Sequence, residues 1–187
     1  MSELHCPTLA DDVVLLRPWS GADLSANLAA FGDPTVQRFA WPHAAAYTEA
    51  KAREFFAEQE AARLLGTQLN FAFVKPVDHN SVLGGGSLYG IDPEQGHAAV
   101  GYWLVPAARG RGIASRAVRL LARWAFDELG TQRLELTCEP GNEASRRVAL
   151  RCGFTEEGML RSHMPFKGGR RDTAIFSLLP NEPASRP

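Results

Sequence analysis

The chain has 187 residues, 20 Lys+Arg against 21 Asp+Glu and 45% apolar residues, a composition that suits one globular domain with a substantial core. A formal net charge of -1 excludes the overall basicity of a general nucleic-acid binder, and a 22% charged fraction with ten Phe and four Trp excludes disorder. The three cysteines, Cys6, Cys138 and Cys152, have no framework or zinc spacing, so plain thiols in a reducing compartment are expected.

Met1 to Leu16 carries Glu3, Asp11 and Asp12 where a signal peptide needs a basic head and an apolar stretch, and no apolar run reaches membrane-span length. A cytoplasmic protein without membrane or nucleic-acid partners is the expectation. Val13 to Arg17 reads as a first strand ending at Pro18. Ser20 with Asp23 resembles a capping box for a helix whose apolar positions Leu24, Leu28 and Phe31 run to Gly32-Asp33-Pro34. The segment Pro34 to Tyr47 reads as irregular. Thr48 caps a second helix with Ala52, Phe55, Phe56 and Ala62 on its buried stripe, ended by Gly66.

Three sequential strands follow, Leu69 to Lys75, Val82 to Ile91 and His97 to Val105, joined by polar turns that predict antiparallel hairpins. Gly84-Gly85-Gly86 inside the second strand marks a bulge or a packing accommodation. After Pro106 the period becomes helical, with Ala114, Ala117, Val118, Leu121, Ala122, Ala125 and Leu129 on one face, up to Gly130. Arg133 to Cys138 is the next strand, which completes a βαβ unit with parallel strands. Asn142 caps a short helix closing at Gly153, and Phe154 to Met164 with Asp172 to Leu179 form a closing hairpin. Residues 1–180 read as one domain and 181–187 as a mobile tail.

The chemistry concentrates in Val100 to Ser115, a strand running through an Arg/Gly loop into a helix. A helix start offers unpaired N–H groups and partial positive charge, and Gly110 and Gly112 let those groups converge on an anion. From Ala98 to Phe126 there are five arginines and no acid, which suits a phosphate ligand or a solvated arginine face. A P-loop is excluded because no lysine lies between Lys75 and Lys167. A dinucleotide fingerprint finds Gly110, Gly112 and Glu135 but Ser115 at its third small position, in a single βαβ unit.

Arg109-Gly110-Arg111-Gly112-Ile113-Ala114 resembles the Gln/Arg-x-x-Gly-x-Gly/Ala loop of the GNAT superfamily of acetyl-CoA-dependent N-acetyltransferases, and Asn142 to Phe154 is similar to the Asn-x-x-Ser…Gly-Phe segment of its RimJ/RimL branch. Gly101-Tyr102-Trp103 and Asp172…Pro180 add to the likeness, which spans about Val13 to Pro180. The resemblance implies an α/β GNAT fold: a mixed sheet of about seven strands, helices on both faces, and a parallel pair astride a pantetheine cleft. It implies acetyl-CoA as co-substrate, no metal, and a primary-amine acceptor, either a protein N-terminus or a small amine; it leaves room for a homodimer. The five histidines, at 5, 43, 79, 97 and 163, show no ligand spacing either.

By the same resemblance, Leu104 and Val105 lend backbone groups to the pantetheine arm, and Arg109, Gly110, Arg111, Gly112, Ile113, Ala114 and Ser115 hold the pyrophosphate. Asn142 bonds the pantetheine chain, or serves only as a helix cap, or fills both roles. Ser145 lies near the sulfur as the donor to the departing thiolate, because no tyrosine follows the fifth strand. An N–H around Val105 is the expected oxyanion donor. The carboxylate proposed as base in RimL-type enzymes aligns with Met164, which leaves Glu139, His163 or a water chain. The rival class is a non-catalytic acyl-CoA-binding module. The acceptor wall is expected from Pro34 to Tyr47, the second helix and the closing hairpin, with Trp19, Phe39, Trp41 and Phe71 as candidate liners.

Overall fold

A computed structural model describes residues 4–180; residues 1–3 and the expected mobile tail, 181–187, lie outside the described residues. Two short strands, β1 (Leu9–Ala10) and β2 (Leu15–Pro18), precede a 3-10 turn at Gly21–Asp23 and helix α1 (Leu24–Ala30). The turn rather than a full helical start follows from Asp23: its carboxylate, buried against Arg17, accepts from the Ser20 backbone and hydroxyl at 2.8 and 2.9 Å.

Pro34–Phe39, expected to be irregular, is a helix, α2. Its start obeys the usual chemistry, with Asp33 accepting from the Thr35 and Val36 amides at 3.0 Å and Pro34 in the first turn, where a missing N–H costs nothing. The Gly-Asp-Pro sequence that ends α1 therefore also begins α2. Helix α3 (Glu49–Leu64) starts as expected at Thr48, whose hydroxyl accepts from the Lys51 amide.

Strands β3 (Gln68–Lys75), β4 (Asp78–Asp92) and β5 (His97–Leu104) form the predicted antiparallel hairpins. Helix α4 (Ile113–Asp127), β6 (Arg133–Cys138), α5 (Glu143–Arg151) and a long hairpin, β7 (Thr155–Phe166) and β8 (Gly169–Leu178), complete the chain. The hairpin closes more tightly than expected, through Lys167 and Gly168 at φ 50 and 81, the backbone of a two-residue turn matched to strand twist.

Among the described residues the sheet has eight strands in the order β1-β2-β3-β4-β5-β6-β8-β7, and β5 and β6 are its one parallel pair. The strand beyond the expected seven is β1, whose two residues are too short to show alternation. Helix α4 lays Ile113, Ala117, Val118, Leu121 and Ala125 on one face against Leu16, Phe71, Phe73, Leu136 and Phe176. Each large side chain so buried contributes roughly 1.5–3 kcal/mol by removal from water. The other face carries a smaller cluster of Trp19, Ala72 and Val74 with Phe55 and Phe56 of α3 and Trp103 of β5.

The triple glycine of β4 is a packing accommodation. A Cβ on Gly84 would sit 2.3 Å from the Trp103 carbonyl oxygen, on Gly85 2.7 Å from the Trp19 ring, and on Gly86 2.5 Å from Phe73. Strand β7 is the outer edge and is exposed along nearly all its length. Its pairing with β8 shifts register twice, between Glu156 and Gly158 and between Leu160 and Met164, with Gly158 and Ser162 at positive φ.

Candidate active site

The parallel pair sets the site. Strands β5 and β6 are in register from His97↔Arg133 to Val100↔Leu136, and there the pairing stops. Gly101 to Leu104 continue along β4, and Thr137 and Cys138 continue along β8, so a wedge opens between two strand edges. A cavity of about 1080 Å3 occupies this wedge and reaches both faces of the sheet. Its walls include Tyr102, Ile113, Asn142 and Ser145 on the α4 side and Trp19, Phe31, Trp41 and Trp103 on the α3 side.

At one end of the wedge the Arg/Gly loop turns through Gly110 and Gly112, both left-handed at φ 71 and 76 with open space where a Cβ would stand. Gly112 is the N-cap of α4 and contributes no capping side chain; the first backbone bond of the helix runs from Arg116 N to Gly112 O. The amides of Ile113, Ala114 and Ser115 therefore precede the intrahelical ladder. This is a donor set that suits a diphosphate.

The loop's arginines are committed differently from expectation. The Arg109 guanidinium ion-pairs with Asp33 and bonds the Leu104 carbonyl at 3.2 and 3.0 Å, and its hydrogen bond to Asp33 holds that carboxyl below the usual carboxylate range. Arg116 pairs with Asp11 and Asp12 at 2.8 and 2.7 Å, and Arg119 donates to the Arg151 carbonyl. The acids missing from the 98–126 stretch thus arrive from distant segments. Arg111 is exposed, with one long contact to the Ala107 carbonyl.

Two further expectations need correction. The Val105 amide, expected as oxyanion donor, donates instead to the Leu83 carbonyl at 3.0 Å on the β4 side, and the Leu104 carbonyl is covered by Arg109. Neither is open to a ligand in this arrangement. Phe71 is fully buried in the core, whereas Trp19, Phe39 and Trp41 do line the cavity.

Asn142 caps α5, its Oδ1 accepting from the Ser145 amide at 3.1 Å. Ser145 is buried in the cavity wall, and Tyr102 of β5 reaches it across the wedge, Oη donating to Oγ at 3.3 Å. Burial pushes the Tyr102 phenol up to about 12. Cys138 contacts the same serine, and burial raises its thiol, as it does Cys152, up to about 11, and Cys6, up to about 12. None of the three has the depressed pKa of a nucleophilic thiol.

Glu139 lies in the wall between two arginines, 3.4 Å from Arg38 Nη2 and 3.9 Å from Arg171 Nη1. Arg171 stacks on Phe166 at 3.8 Å and its guanidinium pKa is lowered by burial. His163 is exposed on β7 and is not in the cavity wall; Met164 is.

The α3 side is aromatic. Trp19 and Trp103 stack at 6.0 Å, Phe31 meets Trp103 edge-on at 5.4 Å, and Phe31 and Tyr47 stack at 4.3 Å. Tyr47 Oη bonds Asn27 and Trp41 Nε1 bonds the Ala45 carbonyl, both at 2.7 Å, which holds the loop after α2 in place. Glu54 and Glu58 of α3 also line this side. Tyr47 falls in the segment expected to wall the acceptor, whereas sequence reasoning missed Phe31 and Trp103 as liners; the only available signal was the clustering of aromatic residues around an irregular segment.

Comparison with known proteins agrees with this geometry. Residues 14–155 match the acetyltransferase (GNAT) domain family. The chain is 31% identical over 177 residues to the uncharacterized N-acetyltransferase p20 of Bacillus licheniformis, a match covering 94% of this chain and 97% of that one. It is 37% identical over 71 residues to the ribosomal-protein-serine acetyltransferase of Escherichia coli, covering 38% of this chain and 40% of the relative. Another relative, YdaF of Bacillus subtilis, is likewise matched over only about half its length, 52%. In fold it is similar to RimL, a ribosomal α-N-protein acetyltransferase solved in complex with coenzyme A, with a TM-score of 0.80, 22% identity and coverage of 92% of this chain and 98% of that one. The chain belongs to the GNAT acetyltransferase family.

Proposed function

We propose that the protein transfers acetyl from acetyl-CoA to a primary amine by direct attack, with no acyl-enzyme. The observation that carries this reading is the wedge between β5 and β6 abutting the orphan amides of α4: an unpaired strand edge for an amide-bearing arm, ending in an anion cradle. Acetyl-CoA supplies the activated thioester.

The chain's own groups then have these roles. In a strand, successive N–H groups point to opposite edges, so with the Val105 amide engaged by Leu83 on the β4 side, the Leu104 and Tyr102 amides face the wedge. The Leu104 N–H is the oxyanion donor in place of Val105. The amides from Gly110 to Ser115 hold the diphosphate, Asn142 bonds the arm, and the Ser145 hydroxyl donates to the departing thiolate, whose ordinary pKa is about 8.5. Glu139, sharing its carboxylate between Arg38 and Arg171, is not assigned as base. The amine loses its proton to water, which favours an α-amino group of pKa about 8 over a lysine of about 10.

Two of the similar proteins, the Escherichia coli enzyme and RimL, are named for ribosomal proteins, so a peptide with a free α-amino terminus heads the acceptor panel. The test is Gly112→Glu, which sets a carboxylate among the phosphates and is expected to abolish acetyl-CoA binding by calorimetry. Unchanged affinity overturns the cofactor site. Saturable acetyl-CoA binding by the unaltered protein, with no amine-stimulated release of thiol, turns the reading into that of an acyl-CoA-binding module.

A further inference from the structure

We propose that Tyr102 is a positioning residue for this reaction: its phenol fixes the rotor of the Ser145 hydroxyl so that the serine proton points into the wedge. The inference rests on the acetyl-transfer reading above and concerns a residue that lies 43 positions away from Ser145 in the chain.

A serine hydroxyl has one proton and two acceptor lone pairs, and left alone it rotates freely or bonds back to its own helix. Here one of those lone pairs has a partner. Tyr102 Oη donates to Ser145 Oγ at 3.3 Å, and the Cys138 thiol lies close to the same hydroxyl. With that lone pair engaged, the serine proton is turned away from the phenol, and Ser145 itself lines the cavity. The rest of Ser145 is equally constrained, its amide held by Asn142 Oδ1.

Tyr102 keeps this role across the working pH range. The groups facing it are Ser145 on α5, Cys138 on β6 and Cys152 at the end of α5, none of them a carboxylate. Burial holds the phenol in its protonated, donating form far above neutrality.

The proton balance is simple. The amine nitrogen bonds the carbonyl carbon, the C–S bond breaks with its electron pair going to sulfur, and sulfur takes the Ser145 proton. The proton released by the amine returns to Ser145 through water, so one proton passes in net from nitrogen to sulfur and Tyr102 ends unchanged.

The test compares Tyr102→Phe, Ser145→Ala and the double variant in steady-state kinetics with acetyl-CoA and the best amine of the panel. Tyr102→Phe keeps the ring, and calorimetric binding of acetyl-CoA reports that it is folded. Its kcat is expected to fall about tenfold with the KM for acetyl-CoA unchanged, and the double variant is expected to be no slower than Ser145→Ala alone. Losses that multiply in the double variant, an unchanged kcat in Tyr102→Phe, or a KM for acetyl-CoA that rises with the loss, each overturn the proposal. A full kcat in Ser145→Ala overturns the serine assignment itself, whereas acetyl transfer would still stand.

Discussion

The two halves of the cavity are built from different material. The half we propose for the acetyl donor, from Gly101 to Ser115, is backbone: a strand edge without a partner among the described residues, two left-handed glycines and the amides that open α4. The half we propose for the acceptor is side chain: Trp19, Phe31, Trp41, Tyr47 and Trp103 arrive from four separate segments and hold one another by ring contacts. Backbone recognition depends on conformation and tolerates side-chain change, whereas an aromatic wall depends on each ring. One fold can thus keep a common donor while its acceptor wall varies.

The sharpest way to break this division is Trp103→Ala. It removes the ring that stacks on Trp19 and meets Phe31, and should cost about 3 kcal/mol of stability by urea unfolding. Two-substrate kinetics should show the acceptor KM rising about tenfold with the acetyl-CoA KM unmoved; an equal rise in both would erase the distinction. A milder probe is Gly110→Ala. Nothing would touch the new methyl, so the penalty is the left-handed backbone alone, about 1–2 kcal/mol, and it should appear as weaker acetyl-CoA binding with an unchanged acceptor KM.

The smallest effect lies outside the cavity. Arg133 and Ser177 hold the Glu157 carboxyl down at about 2, below its ordinary 4.5. A carboxyl depressed on folding stabilises the native state above its unfolded pKa and loses that contribution as pH falls through the folded value. Thermal stability should therefore drop between pH 4.5 and 2, and Glu157→Gln should flatten part of that slope. Because the pair is partly exposed, added salt should shrink the difference.

The same division explains what could be read from the chain before its structure. The βαβ unit, the glycine loop and the Asn142 cap are local: apolar period, φ requirements and capping oxygens all lie within a few residues. Arg109 was legible as a loop residue but not as the partner of Asp33, 76 positions away, because ion pairing leaves no periodic trace. The Val105 amide was misassigned for a related reason, since which edge of a strand an N–H faces is set by register with β4. Helix α2 was hidden by a Gly-Asp-Pro run read only as a stop.

The kinked outer strand β7 bears on the behaviour of the protein in a crowded solution. A straight, bare rim of that length, carrying exposed Met159 and Leu160, would invite another chain to zip on in the manner of amyloid growth. The breaks near Gly158 and Ser162 leave only short stretches of regular pairing geometry, so an incoming strand finds a few rungs and then a misfit. Straightening that rim would trade colloidal stability for regularity.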